Sequence, residues 1–92
     1  MPFEYDEKKS AANKLKHGID FETAKALWLS RFLEIKAVSL DEPRWAVVGK
    51  IEGKFWTAFI TRRGNGVIRI ISVRRSREEE IRIYEEKAPK SH

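Results

Sequence analysis

The chain contains no cysteine, which excludes disulfides and thiolate metal sites and makes a reducing, cytoplasmic setting the expectation. Histidine is almost as scarce: His17 is internal and His92 is terminal. No cluster of His, Asp and Glu stands at ligand spacing, and no motif supports a Ser-His-Asp system, so neither a metal, a cofactor nor a triad is expected. No apolar run approaches the ~20 residues of a membrane span, so no membrane association is expected. The opening MPFEYDEKK is acidic and has no apolar core, unlike a secretory signal. Acidic residues are missing from one long stretch. Between Pro43 and Arg77 there is a single acid, Glu52.

That stretch holds nine Lys or Arg, so it carries a net +8; the overall charge of +5 leaves −3 for the rest. Such asymmetry is an electrostatic footprint for phosphates or for an acidic protein. A chain of 92 residues is one small domain; Pro89 ends the last element, and residues 88–92 read as a frayed tail.

Local patterns suggest an α+β fold. Phe3-Glu4-Tyr5 alternates and fits a short edge strand. Asp6 fits an N-cap for a helix over 7–16, with Lys8, Ala11, Ala12 and Leu15 forming a small apolar stripe. Gly18 is its C-cap, and Asp20 caps a second helix running to Trp28 or Ser30. Period-2 alternation follows over 32–39, then 45–52, 55–62 and 67–75, joined by turns at Asp41-Glu42-Pro43, Gly53 and Gly64-Asn65-Gly66. This predicts three or four antiparallel strands in a meander. Ser76 and Glu79 read as a capping box for a last helix to about Lys87.

Arginine on strands is the chemistry left. Alternation places Ile68, Ile70, Ser72 and Arg74 on one face and Arg69, Ile71, Val73 and Arg75 on the other. On the preceding strand it separates Arg62 from Arg63. Guanidinium groups bind phosphate bidentately and keep their charge. In RNA cleavage by 2′-hydroxyl attack, such groups stabilise the charge that grows on the phosphoryl oxygens. His17 is the one internal side chain with an ordinary pKa near neutrality, and Tyr84 is a second acid–base candidate. Each has a second reading: His17 as a helix-end residue, Tyr84 as core. Arg69 is expected to pair with an acid such as Glu52. Trp45 and Trp56 read as core or interface fillers, or as base-stacking platforms. Arg63, Arg69 and Lys54 are candidate RNA contacts.

Two stretches carry a resemblance. FEYDEKKSAANKLKHGIDFETAKALW is similar to the start of the BrnT toxins, with Lys-His-Gly-Ile-Asp-Phe at its centre. RWAVVGKIEGKFWTAFITRRGNGVIRIISVRRSREEEIRIY resembles their second half, through Arg-Trp, Gly-x-x-x-Gly, Thr-x-Arg-Gly, Arg-Ile-Ile-Ser-x-Arg and Glu-x-x-x-Tyr. Residues 29–44 depart from the pattern. The resemblance implies a RelE-like fold and an endoribonuclease toxin of a bacterial type II toxin–antitoxin pair, which blocks translation. It implies a BrnA-like, ribbon-helix-helix antitoxin and promoter DNA contacted only through the complex. By motif it points to His17, Arg62 or Arg63, Arg74, Arg75 and Tyr84 as site residues. The alternative is a non-catalytic basic module that docks an acidic antitoxin and shares in promoter repression.

Overall fold

A computed structural model describes residues 2–37 and 41–87. Its centre is a five-stranded sheet in the order β1-β5-β4-β3-β2, formed by β1 (Phe3–Glu4), β2 (Phe32–Ala37), β3 (Arg44–Ile51), β4 (Lys54–Arg62) and β5 (Ile68–Arg75). Strands β2 to β5 make the expected antiparallel meander. The opening Phe3–Glu4 strand adds to it in parallel with β5, so the sheet is mixed. The ends expected at Ser39 and for the 88–92 tail lie outside the described residues.

The hairpin turns follow from backbone chemistry. Ile51 pairs with Lys54, leaving a two-residue loop in which Glu52 (φ 51°) and Gly53 (φ 80°) are both left-handed, as a type I′ turn requires. At the second turn Asn65 and Gly66 take positive φ, and Arg63 N–H donates to Val67 O at 2.8 Å.

Two helices close one face of the sheet. In α1 (Glu7–His17), Asp6 caps the start by accepting from Lys9 N–H, and Gly18, at φ 82°, ends it by donating to Lys14 O. Asp20 accepts from Thr23 N–H at 2.7 Å to start α2 (Phe21–Ala24), which tightens into a 3-10 turn over Lys25–Leu29. Phe21, Ala24 and Leu27 from this segment, with Ile19, form the core against Val47, Ala58, Ile60, Ile68, Ile70 and Val73. Leu27 reaches the sheet at Gly49, where a Cβ would meet Leu27 Cδ2 at 3.2 Å.

The packing face of α1 is not the apolar stripe expected. Ala11, Ala12 and Leu15 are exposed, and the buried residues are Ser10 and Asn13. The helix docks by hydrogen bonds because it meets backbone rather than side chains. Ser10 Oγ accepts from Phe21 N–H at 2.8 Å. The Asn13 amide donates to Ile19 O (2.8 Å) and Val73 O (2.9 Å) and accepts from Val73 N–H (3.1 Å). Strand β1 is too short to reach Val73, so Asn13 completes the β5 edge as one residue of a further strand would.

The alternation expected for β5 is also corrected. Phe59 pairs with Ser72, but Ile60 pairs with Ile70, so Ile71 is an extra residue, a β-bulge. The bulge shifts the phase. Ile68, Ile70 and Val73 all face the helices, while Arg69, Ser72 and Arg74 all sit on the other side, here called the distal face. Helix α3 (Glu78–Lys87) lies on the distal face across β2 and β3. Its cap is displaced by one residue from the expected box. Arg77 N–H donates to Glu80 at 2.8 Å and Ile81 N–H to Arg77 O, while the Ser76 hydroxyl is engaged with Thr57. Arg77 therefore stands at the N-cap and Glu80 at N3.

Asn13→Ala strips Val73 of both backbone partners in a buried setting. Unfolding in urea is expected to show a loss of about 2–4 kcal/mol. A loss below about 0.5 kcal/mol would show that α1 does not depend on this amide.

Candidate nucleic-acid interface on the distal face

Residues paired across a sheet share a face, so the ladder places each cation. The distal face carries Lys50 beside Phe55, then Thr57 beside Arg74, Phe59 beside Ser72, and Thr61 beside Arg69. Arg44 stands one step past the Trp45–Ile60 pair and so opposite Thr61 on the β3 side. The result is a lane of cations with aromatic rings between them. The Arg74 guanidinium lies 5.1 Å from the Phe59 ring centre and Lys50 Nζ 4.9 Å from that of Phe55.

Arg74 is the most constrained of these cations. Its Nη1 and Nη2 donate to the two Glu80 carboxylate oxygens at 2.9 and 2.6 Å, and Nη1 also donates to Arg75 O. Both side chains are about four-fifths buried, at 22% and 20% exposure. Glu80 takes two further donors, Arg77 N–H and the Thr57 hydroxyl at 3.0 Å. Burial pushes the Glu80 carboxyl up, but the Arg74 guanidinium, the Arg77 N–H and the Thr57 hydroxyl together hold it below its ordinary value. The same carboxylate thus fixes the start of α3 and the direction of Arg74. Tyr84, on α3, stacks edge-on against Phe55 at 5.3 Å and donates to Arg31 O at 3.2 Å. Its hydroxyl is engaged, and its ring lies on the same face as Arg74.

The other sequence candidates fall elsewhere. Arg62 is on the helix-side face, paired with Glu34 and stacked on Trp45 at 5.3 Å. Arg75 shares that face but lies at the opposite end of β4, across from Trp56, whose ring it covers at 5.4 Å. No acid pairs with Arg75 among the described residues. His17 ends α1 near that same end. Lys14 and Gly18, flanking it in the helix and cap, line a cleft of about 310 Å³ with Lys54, Glu52 and Trp56. Arg63 pairs with Glu4 at 2.9 Å, and Arg69 meets the same carboxylate at 3.6 Å rather than Glu52. Arg74, Arg69 and Tyr84 are therefore brought to the distal face, while Arg62, Arg75 and His17 are not.

Sequence reasoning missed Arg44, Lys50, Phe59, Thr61 and Glu80 as members of this surface. The alternation of Lys50 with its strand and of Thr57, Phe59 and Thr61 was available as a signal. The Glu80 clamp needed the position of α3.

A mixed sheet closed on one side by helices, with arginines and aromatic rings on the other beside a C-terminal helix, defines a small α+β domain with a basic sheet face. Residues 5–80 match the family model described as ribonuclease toxin, BrnT, of type II toxin-antitoxin system. The chain belongs to this family: it is a ribonuclease toxin, with RNA as substrate and an antitoxin as partner. The crystal structure of the Brucella abortus ribonuclease toxin BrnT shares the fold, with a TM-score of 0.65 and 24% identity over 85% of this chain and 99% of that chain. No curated protein matches the chain. Among the described residues no helix is long and apolar enough to cross a membrane.

Because the folded Glu80 carboxyl sits below its ordinary value of 4.5, its contribution to stability is present above that pH and is lost as pH falls through the lower folded value. Glu80→Gln is expected to lower stability at pH 7 by about 1–3 kcal/mol and to flatten the acid limb of the stability curve. Denaturation from pH 7 to pH 3 checks this; an unchanged acid limb would mean the carboxylate is not the group titrating.

Proposed function

We propose that the chain cleaves RNA on the distal face by attack of a 2′-hydroxyl on the adjacent phosphate. The 2′-oxygen–phosphorus bond forms and the bond to the 5′-oxygen breaks. A proton leaves the 2′-hydroxyl and one is delivered to the departing 5′-oxygen, giving a 2′,3′-cyclic phosphate and a 5′-hydroxyl end. The observation that carries this reading is the Arg74 clamp: a guanidinium held bidentate by Glu80, stacked on Phe59 and standing on the same sheet face as Arg69. A preorganised cation stabilises charge as it develops and costs no reorganisation at the moment of reaction. Phe59 and Phe55 carry the Arg74 and Lys50 cations over their rings, which sets those cations at fixed places along the lane. Tyr84 stands at the lane as the acid–base candidate. His17, Arg62 and Arg75 are then helix-side groups outside the reacting centre, and Lys54 flanks them.

The consequence for the cell is a block of translation in the cytoplasm, relieved when a small ribbon-helix-helix antitoxin covers the basic surface. Promoter DNA would be met through that complex. The charge asymmetry supports an acidic partner segment, since the lane offers phosphate-like recognition to either ligand.

Arg74→Ala is expected to lower the cleavage rate of a short RNA about 100- to 1,000-fold and to abolish growth arrest on induction. Arg74→Lys keeps charge but not the fork, so it should recover little. Wild-type cleavage by Arg74→Ala would remove the arginine from the mechanism. Intact RNA after prolonged incubation with the native chain, alongside salt-sensitive antitoxin binding, would favour the non-catalytic module instead.

A further inference from the structure

We propose that Arg44, Thr61, Arg63 and Arg69 form a phosphodiester-binding subsite on the distal face, apart from the Arg74 corner. The identity of its ligand as an RNA backbone rests on the ribonuclease reading above; the anion chemistry does not. Thr61 lies four residues along β4 from Thr57, the neighbour of Arg74, so the two places are separated by about 13 Å. A single strand occupying both would span more than one nucleotide.

The sheet builds this group in one row. Across four adjacent strands the row reads Arg44 on β3, Thr61 on β4, Arg69 on β5 and Glu4 on β1, with Arg63 two residues beyond Thr61 on the same face. The group therefore holds three guanidinium groups and one carboxylate. Glu4 is divided between Arg63 at 2.9 Å and Arg69 at 3.6 Å, and no carboxylate meets Arg44 among the described residues. Asp41 and Glu42 precede Arg44 in the chain but form no ion pair with it among the described residues, and Asp6 lies near Arg69. Its carboxyl is held low mainly by Lys9 N–H and only in small part by Arg69, and it is committed to the α1 cap.

Two polar atoms in the row lack any hydrogen-bond partner, Arg44 Nε and Thr61 Oγ1. Thr61 is 97% buried by residue, with 3% exposure, so its hydroxyl has no solvent shell either. A buried donor without an acceptor is costly, and two in one cross-strand row is an arrangement that an anionic oxygen would relieve. The excess of two positive charges and the forked geometry of arginine suit a phosphodiester better than a lone carboxylate. The bulge at Ile71 matters here too, because it keeps Arg69 and Arg74 on one face, at the two ends of one lane.

The test uses the full chain and a fluorescent all-2′-deoxy oligonucleotide, which cannot undergo 2′-attack. Arg44→Gln is expected to raise its Kd about three- to tenfold and to reduce the slope of log K against log salt by about 0.7–1. Thr61→Val is nearly isosteric and removes the unpaired hydroxyl, so it should weaken binding with the melting temperature unchanged or higher. Arg82→Gln, an exposed change on α3, controls for the loss of one charge. With a methylphosphonate oligonucleotide the native chain and Arg44→Gln should bind alike. Native Kd and salt slope in both variants would overturn the subsite, as would no binding by the native chain. Loss of antitoxin binding with oligonucleotide binding intact would reassign the group to a protein contact. Oligonucleotide binding through this row with RNA left uncut would sink the nuclease reading and leave the subsite standing. RNA cut normally with unchanged Kd in the variants would sink the subsite alone.

Discussion

One extra residue in β5 decides what the sheet can do. The strand must supply apolar side chains to the helices and cations to the distal face over eight residues, Ile68–Arg75. Strict alternation cannot deliver both, since it would put Arg74 on the side of Ile68 and Ile70. The bulge at Ile71 resolves the conflict by shifting phase once, between the Ile70 and Ser72 pairings. The buried apolar residues of the strand, Ile68, Ile70 and Val73, then face the helix layer, and Arg69, Ser72 and Arg74 all point away. Without it, a guanidinium would be pressed against a core built from Phe21, Leu27 and Val47, where burial of an unpaired charge is prohibitive.

The bulge works only if the edge of β5 beyond it is held. Strand β1 covers Ile68 and Arg69 and stops. Val73 is served instead by the Asn13 amide, which also holds Ile19 at the corner between the two helices. A single side chain thus joins the helix layer, the helix–helix corner and the strand that ends in Arg74. At the other side of the sheet Glu80 plays a parallel part, tying α3 to Arg74, Thr57 and the Arg77 backbone. The two contacts hold the end of β5, Asn13 at its edge and Glu80 on its distal face.

Local chemistry was legible in the chain. Asp6, Asp20 and Gly18 act as the caps their types suggest, and the Glu52-Gly53 turn closes a hairpin as its spacing suggests. The helices, the meander and the basic character of the second half follow from such signals. What was not legible depends on contacts between residues far apart in sequence. Asn13 meets Val73 across sixty positions, and Glu4 meets Arg63 across fifty-nine, so neither leaves a periodic trace. The polar packing face of α1 was hidden for the same reason: an apolar stripe was sought, and the helix docks on backbone. The bulge left no glycine or proline to mark it, and so the arginines were divided wrongly between the faces. The Lys-His-Gly corner drew attention to His17, which ends α1 in the helix layer, beside the Lys14 and Gly18 that line the cleft with Lys54 and Trp56.

The central claim is that RNA lies on the distal face along the Arg44–Arg69–Arg74 lane. The most direct measurement follows the arginine Nε–H signals by NMR while a 2′-O-methyl RNA, which binds but cannot be cut, is titrated into the native chain. The expected result is that Arg44, Arg69 and Arg74 shift together with one saturation curve, while Arg62, held by Glu34 on the helix side, stays in place. Saturable shifts at Arg62 and Arg75, with Arg69 and Arg74 unmoved, would contradict it.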